Sequence, residues 1–154
     1  MKKLLLIAFA CVLALACSKD KYQTKPQITI KNINTNEVQV GGNLDVILSY
    51  TDKQGDVDDS VFIQKIRLNS RVVATIRDSF GYPIPAFPPS PKGDIEINMD
   101  YETVKSAISP PIVQGSNPVA YESDTLIFKF AVKDKGGNIS DTISSGKVVV
   151  LRIQ

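Results

Sequence analysis

The chain has 154 residues, with 18 Lys plus Arg against 16 Asp plus Glu, two cysteines, and neither histidine nor tryptophan. Without histidine there is no Ser-His-Asp triad, no imidazole metal ligand and no imidazole general base. The net charge of +2 equals the contribution of Lys2 and Lys3, so the remainder is balanced and carries no basic stripe for nucleic acid.

In chain order, the first element is a basic start, Met1-Lys2-Lys3, followed by the uncharged run Leu4–Ala16. A bilayer span needs about 20 apolar residues, so this run is too short to cross. A basic end, a short apolar stretch and small residues at its close read as a secretory signal over 1–16. Cys11 falls inside that signal. Cys17 is then the one cysteine of the processed chain, no intrachain disulfide can form, and the fold must be held by packing. The polar "SKDKYQTKPQ" that follows Ala16 reads as a flexible connection, with the tether assigned to 17–26 and a folded domain to 27–154.

The segment Ala14-Leu15-Ala16-Cys17 resembles the lipobox of bacterial lipoproteins, with Ala14 standing where leucine is usual. The resemblance implies diacylglyceryl (palmitate-type) lipid on the Cys17 sulfur and cleavage just before it. Each buried methylene of such a lipid contributes about 0.8 kcal/mol, so several chains together anchor firmly. The tract after Cys17 partly resembles the lysine-plus-acidic signal of surface lipoproteins in the Bacteroidota, through Lys19 and Asp20. The expected location is the outer membrane, lipid-anchored, at its periplasmic or its cell-surface face.

The rest reads as strands and turns. "QITIKNI" (27–33) alternates, with Ile28, Ile30 and Asn32 on one face. "LDVILSY" (44–50) places Leu44, Val46, Leu48 and Tyr50 together. "VFIQKIRL" (61–68) and "VVATI" (72–76) follow, then "DIEINMDY" (94–101) with Ile95, Ile97, Met99 and Tyr101 inward. "TLIFKFAVK" (125–133) and "KVVVLRI" (147–153) close the series. Period two with β-branched and aromatic residues is the strand signature. "NTNE", "GGN", "DKQGD", "DKGGN" and "SSG" punctuate these runs as turns, and "YETVKSAI" (101–108) has room for one helical turn. The proline-rich stretches 80–93 and 109–118 are expected to be loops, because proline cannot donate to a ladder. The expected fold is an all-β, antiparallel, immunoglobulin-like sandwich of about seven strands.

"LSYTDKQGDVDD" resembles the strand and acidic turn of immunoglobulin-like or PKD-like domains in Bacteroidota lipoproteins, and "FAVKDKGGNISDTI" resembles their last hairpin. What this implies is an envelope lipoprotein carrying a single sandwich domain.

Four sets of residues bear on function. Asp52, Asp56, Asp58 and Asp59 offer oxygens of the kind Ca²⁺ takes, but their spacing is not that of an EF-hand. The favoured reading is a tight turn whose amides are capped by Asp52 and Asp56, with no metal and no cofactor. Tyr82 and Phe87, set among Pro83, Pro85, Pro88, Pro89 and Pro91, suggest a stiffened contact surface; the competing reading folds these rings into the core. The triplets at 59–61, 124–126 and 141–143 resemble O-glycosylation sites of exported Bacteroidota proteins, with Ser60, Thr125 and Thr142 as acceptors, although such triplets also simply open strands. Cys17 is the lipid attachment residue. The expectation is a non-catalytic envelope lipoprotein that binds or scaffolds an envelope protein or glycan, with no nucleic-acid partner. The alternatives are a glycan-recognition accessory of an outer-membrane uptake system and a carboxylate-dependent hydrolase.

Overall fold

The computed structural model describes residues 23–70, 77–108 and 110–152. The signal, Cys11, Cys17 and the strand expected at 72–76 lie outside the described residues.

Two sheets face each other. One holds β1 (Gln27–Ile33), β3 (Asn43–Thr51) and β6 (Lys92–Asp100) in the order β1-β3-β6. The other holds β2 (Glu37–Val38), β4 (Ser60–Arg67), β5 (Arg77–Pro83), β7 (Asp124–Lys133) and β8 (Ile143–Val150) in the order β2-β8-β7-β4-β5. All pairings are antiparallel except that of β2 with β8, which is parallel. This is an all-β sandwich with immunoglobulin-like strand order, and the short β2 and the edge strand β5 complete it.

Alternation builds the core. In β3, Leu44, Val46, Leu48 and Tyr50 point inward, and in β7 so do Leu126, Phe128, Phe130 and Val132. Between the sheets the Phe128 and Phe130 rings lie 6.5 Å apart, close to parallel. Each such side chain contributes about 1.5–3 kcal/mol on full burial, which is how the described residues, none of them a cysteine, hold together.

Three features depart from the simple alternation. In β1 the register slips between Ile30 and Asn32, so Ile33 pairs with Val46 and packs on the core while Asn32 is exposed. One extra residue at a bulge turns the following side chains over, and it here corrects the expected inward place of Asn32. In β8, "SSG" is not a turn: the strand already begins at Ile143 and bulges opposite Phe128. Ser145 repairs the ladder there, its Oγ accepting the Phe128 amide at 2.9 Å and donating to the Gly146 carbonyl at 2.7 Å. Finally, 80–83 is strand rather than loop. Phe80, Gly81 and Tyr82 pair with Ile63, Phe62 and Val61, and Pro83 is the last residue of an edge strand, where a missing N–H is tolerated.

One helical turn, α1 (Tyr101–Val104), follows β6. Asp100 caps it by accepting the Thr103 amide at 2.8 Å. The Tyr101 hydroxyl donates to the Leu151 carbonyl at 2.8 Å, tying the turn to the end of the chain. Residues 23–26, expected to be free tether, are fastened to the domain: the Lys53 amide donates to the Gln23 carbonyl, Lys25 pairs with Asp141 at 2.5 Å, and Pro26 is buried.

Candidate functional site

Charged side chains gather at both ends of the sandwich, with buried cations at one and a carboxylate cluster at the other. The inward row of β4 begins with Val61 and Ile63 and ends with Lys65 and Arg67, all four buried. The Lys65 ammonium donates to the Thr103 and Lys105 carbonyls at 2.7 and 3.0 Å and pairs with Asp78 at 2.9 Å, so it closes the end of α1. Beside it, the carboxylate of buried Asp124 meets both Arg67 and Arg152. This basic end is a set of structural clamps that the sequence reading did not anticipate.

The acidic end is built from the loop 52–59, between β3 and β4, and the loop 134–142, between β7 and β8. Both turns share the pattern Asp-Lys-x-Gly: Asp52-Lys53-Gln54-Gly55 and Asp134-Lys135-Gly136-Gly137. Each glycine has positive φ, +71° at Gly55 and +87° at Gly137. In the first turn the Asp52 Oδ2 accepts the Gly55 amide at 2.7 Å. In the second, the Asp134 carboxylate accepts the amide and the side-chain nitrogen of Asn138 at 2.7 and 2.8 Å. Short polar side chains that bind their own backbone make turns of this kind. The two turns are sewn together by the Lys135 amide, which donates to the Asp56 carbonyl at 3.0 Å, and by Lys135 Nζ, 2.7 Å from Asp58 Oδ2.

This arrangement brings Asp52, Asp56 and Asp134 together, one oxygen of each lying within 4.8 Å of the others. Asp52 and Asp134 are buried, at 0% and 1% exposure. The Oδ1 atoms of Asp52 and Asp56 are buried without a hydrogen-bond partner. Burial raises the Asp56 carboxyl above the ordinary aspartate range, and the negative charges of Asp134 and Asp52 raise it further. Chemically the cluster is a set of hard oxygen donors with unused lone pairs.

The expected residues distribute as follows. Asp52 caps its turn, while the Asp56 side chain leaves one oxygen free inside the cluster. Asp58 is engaged by Lys135, and Asp59 sits apart, bound to Lys133 at 3.1 Å and to the Ser60 hydroxyl at 2.8 Å, which hold its carboxyl below the usual range. Asp134 is the residue that sequence reasoning missed, although the repeated Asp-Lys-x-Gly pattern marked it. Phe87 is half-buried against the core with its ring 6.0 Å from that of Tyr50. Tyr82 lies at the edge, 36% exposed, its ring set edge-on to Phe80 at 5.7 Å. Of the expected glycan acceptors, Ser60 and Thr125 are half-buried in strands and Thr142 is exposed.

Among the described residues, two of the surface hollows adjoin β5. One, of about 140 Å³, lies between the edges of the two sheets and is lined by Val61, Tyr82, Pro83, Ile84, Ile95 and Ile97. The other, shallower and about 470 Å³, lies on the outer face of the larger sheet around Phe62, beside Gly81 and Ala131.

No family model matches the chain, and no curated protein does. Among solved structures it is similar to the sporulation control protein Spo0M of Bacillus subtilis, at 9% identity and a TM-score of 0.41, over 84% of this chain and 50% of that one. It is also similar to a β-glucosidase of Listeria innocua in complex with glucose, at 10% identity and a TM-score of 0.38, over 83% of this chain and 16% of the enzyme. The chain thus spans half or less of these proteins, and likenesses this distant carry no functional argument.

Proposed function

We propose that the chain is a lipid-anchored, non-catalytic binding module of the bacterial outer membrane, engaging an extended segment of an envelope protein at the notch beside Tyr82. The observation that carries this reading is the apolar notch between two sheet edges, β5 and β6. An edge strand offers backbone groups to an added strand, and a neighbouring pocket selects one of its side chains. A notch of about 140 Å³ suits a single apolar side chain, and the rim residues Glu96 and Asn98 add polar selection.

The anchor fits the same geometry. The described residues begin at Gln23, which is bonded to Lys53 at the acidic end. Six residues from Cys17 to Gln23 reach at most about 20 Å, so an anchored Cys17 keeps that end close to the membrane. Tyr82, paired with Val61 near the start of β4, belongs to the same end. The hydrolase alternative is disfavoured by access: the converging carboxylates of Asp52 and Asp134 are closed off from solvent, whereas glycoside hydrolysis needs a sugar ring between its two carboxyls.

The test is site-specific photocrosslinking in intact cells, from position 82 and from the exposed Val119. A discrete protein adduct from position 82 alone is expected. Adducts to glycan only, or equal protein adducts from both positions, would remove the reading.

A further inference from the structure

We propose that Asp52, Asp56 and Asp134 form a divalent-cation site that takes calcium and staples the two sheets together. Three observations converge on it. The first is the donor set, three carboxylates with an oxygen of each within 4.8 Å of the others. Ligands around Ca²⁺ sit at about 2.3–2.6 Å, so any two of them are separated by no more than about 5 Å. Three oxygens drawn this close are compatible with one shared ion. The second is the unpartnered Oδ1 of Asp52, a residue at 0% exposure. A buried charged oxygen without a partner is costly, and Asp56 Oδ1 repeats the fault beside it. The third is charge. Lys135, the cation that ties the two turns, is spent on Asp58, which is outside the trio. Like charges drawn this close in a partly buried setting repel one another, and a divalent cation among them offsets that repulsion.

Calcium fits better than magnesium. The donors come from two irregular loops, which suit the variable geometry of Ca²⁺ more than the strict octahedron of Mg²⁺. Oxygen-only ligation also argues against zinc and copper, which favour nitrogen or sulfur. The structural consequence follows from topology. Asp52 leaves β3 of the smaller sheet and Asp134 leaves β7 of the larger one, so an ion between them joins the sheets at the end nearest the anchor.

The experiment uses the purified full chain, freed of metal and then dialysed against radiolabelled calcium from 0.05 to 5 mM. One ion per chain is expected, with a melting temperature that rises with calcium and less with magnesium. Asp134→Asn and Asp56→Asn should each weaken uptake at least tenfold, while Asp59→Asn, outside the trio, should leave it unchanged. Should Asp134→Asn fail to fold, the half-exposed position 56 still decides the matter. No uptake up to 5 mM, uptake unaltered in Asp56→Asn, or equal loss in Asp59→Asn would each overturn the site.

Discussion

Arg67 Nε lies 3.0 Å from Asp124 Oδ1, with the two side chains 2% and 0% exposed. Arg152 approaches the other oxygen at 2.5 Å, and the Ser106 amide donates to that oxygen at 3.1 Å. One buried anion thus serves two guanidinium groups, one from the end of β4 and one from the segment after β8. Removing it strands two buried cations, so Asp124→Ala should cost about 3–5 kcal/mol. The urea midpoint should fall while the slope stays fixed, as in a pure loss of stability. Replacing Arg67, Arg152 and Asp124 together by Met, Met and Leu should recover much of that loss, because an apolar set removes the desolvation penalties of all three charges.

Gly55 and Gly137 provide a matched comparison. Both have positive φ, which an L side chain adopts at a cost of about 1–2 kcal/mol. At Gly137 an added Cβ meets nothing within 4 Å, whereas at Gly55 it would sit 2.6 Å from the Ser90 backbone. Gly137→Ala should therefore lose about 1–2 kcal/mol, and Gly55→Ala distinctly more. Denaturant melts of the two variants test the order, and equal losses would show that the β5–β6 loop yields at Ser90.

What was legible in the sequence follows physical range. Period-two patterns in 44–50, 94–101 and 125–133 depend only on which residues water rejects; all three formed strands, the first two with the expected residues sharing the inward face. The turn chemistry of 52–56 is equally local. The bulges at Ile30–Asn32 and opposite Phe128 were not legible, because they depend on the register of a partner strand. Strand β5 escaped for a similar reason: Pro83 forbids a central strand but not an edge, and only the sheet order decides which it is. Asp134 was hidden by distance in sequence, since its role arises when two Asp-Lys-x-Gly turns, one from each sheet, close on each other.

The proposed lipid anchor has its own test. The run ending in Ala16-Cys17 motivates acylation at Cys17. A fatty-acid probe fed to cells should label the wild type and not Cys17→Ser. Equal labelling of both, or labelling lost only in Cys11→Ser, would sink the assignment.

Tyr82 and Phe87 should separate when mutated singly. Phe87 packs on the core beside Tyr50, so Phe87→Ala should cost about 3 kcal/mol, the lower end for a large ring because it is only half-buried. Tyr82 loses little more than its edge-on contact with Phe80, worth about 0.5–1.5 kcal/mol. Tyr82→Ala should keep its melting temperature within a few degrees and lose the protein crosslink formed by a probe at Asn98, on the rim of the same notch. A collapse in stability there would make Tyr82 part of the packing.

Asp56 gives the sign test for the acidic end. Its folded carboxyl is raised, first by burial and then by Asp134 and Asp52. The fold therefore holds this proton more tightly than the unfolded chain, whose aspartates titrate near 3.9. Stability follows the difference in bound protons, so the metal-free protein loses stability as pH rises through the window from the unfolded value to the raised one. In metal-free buffer at pH 7, Asp56→Asn should be as stable as the wild type or more so, and the difference should shrink as pH falls towards 4. Saturating calcium should reverse the order, since an ion at a hundred times its dissociation constant contributes about 2.7 kcal/mol to the protein that binds it. Urea midpoints at the two pH values, with and without calcium, make the measurement. A variant weaker by about 0.5–2 kcal/mol in metal-free buffer, the range for a lost cap, would show instead that the Asp56 carboxylate serves its own turn.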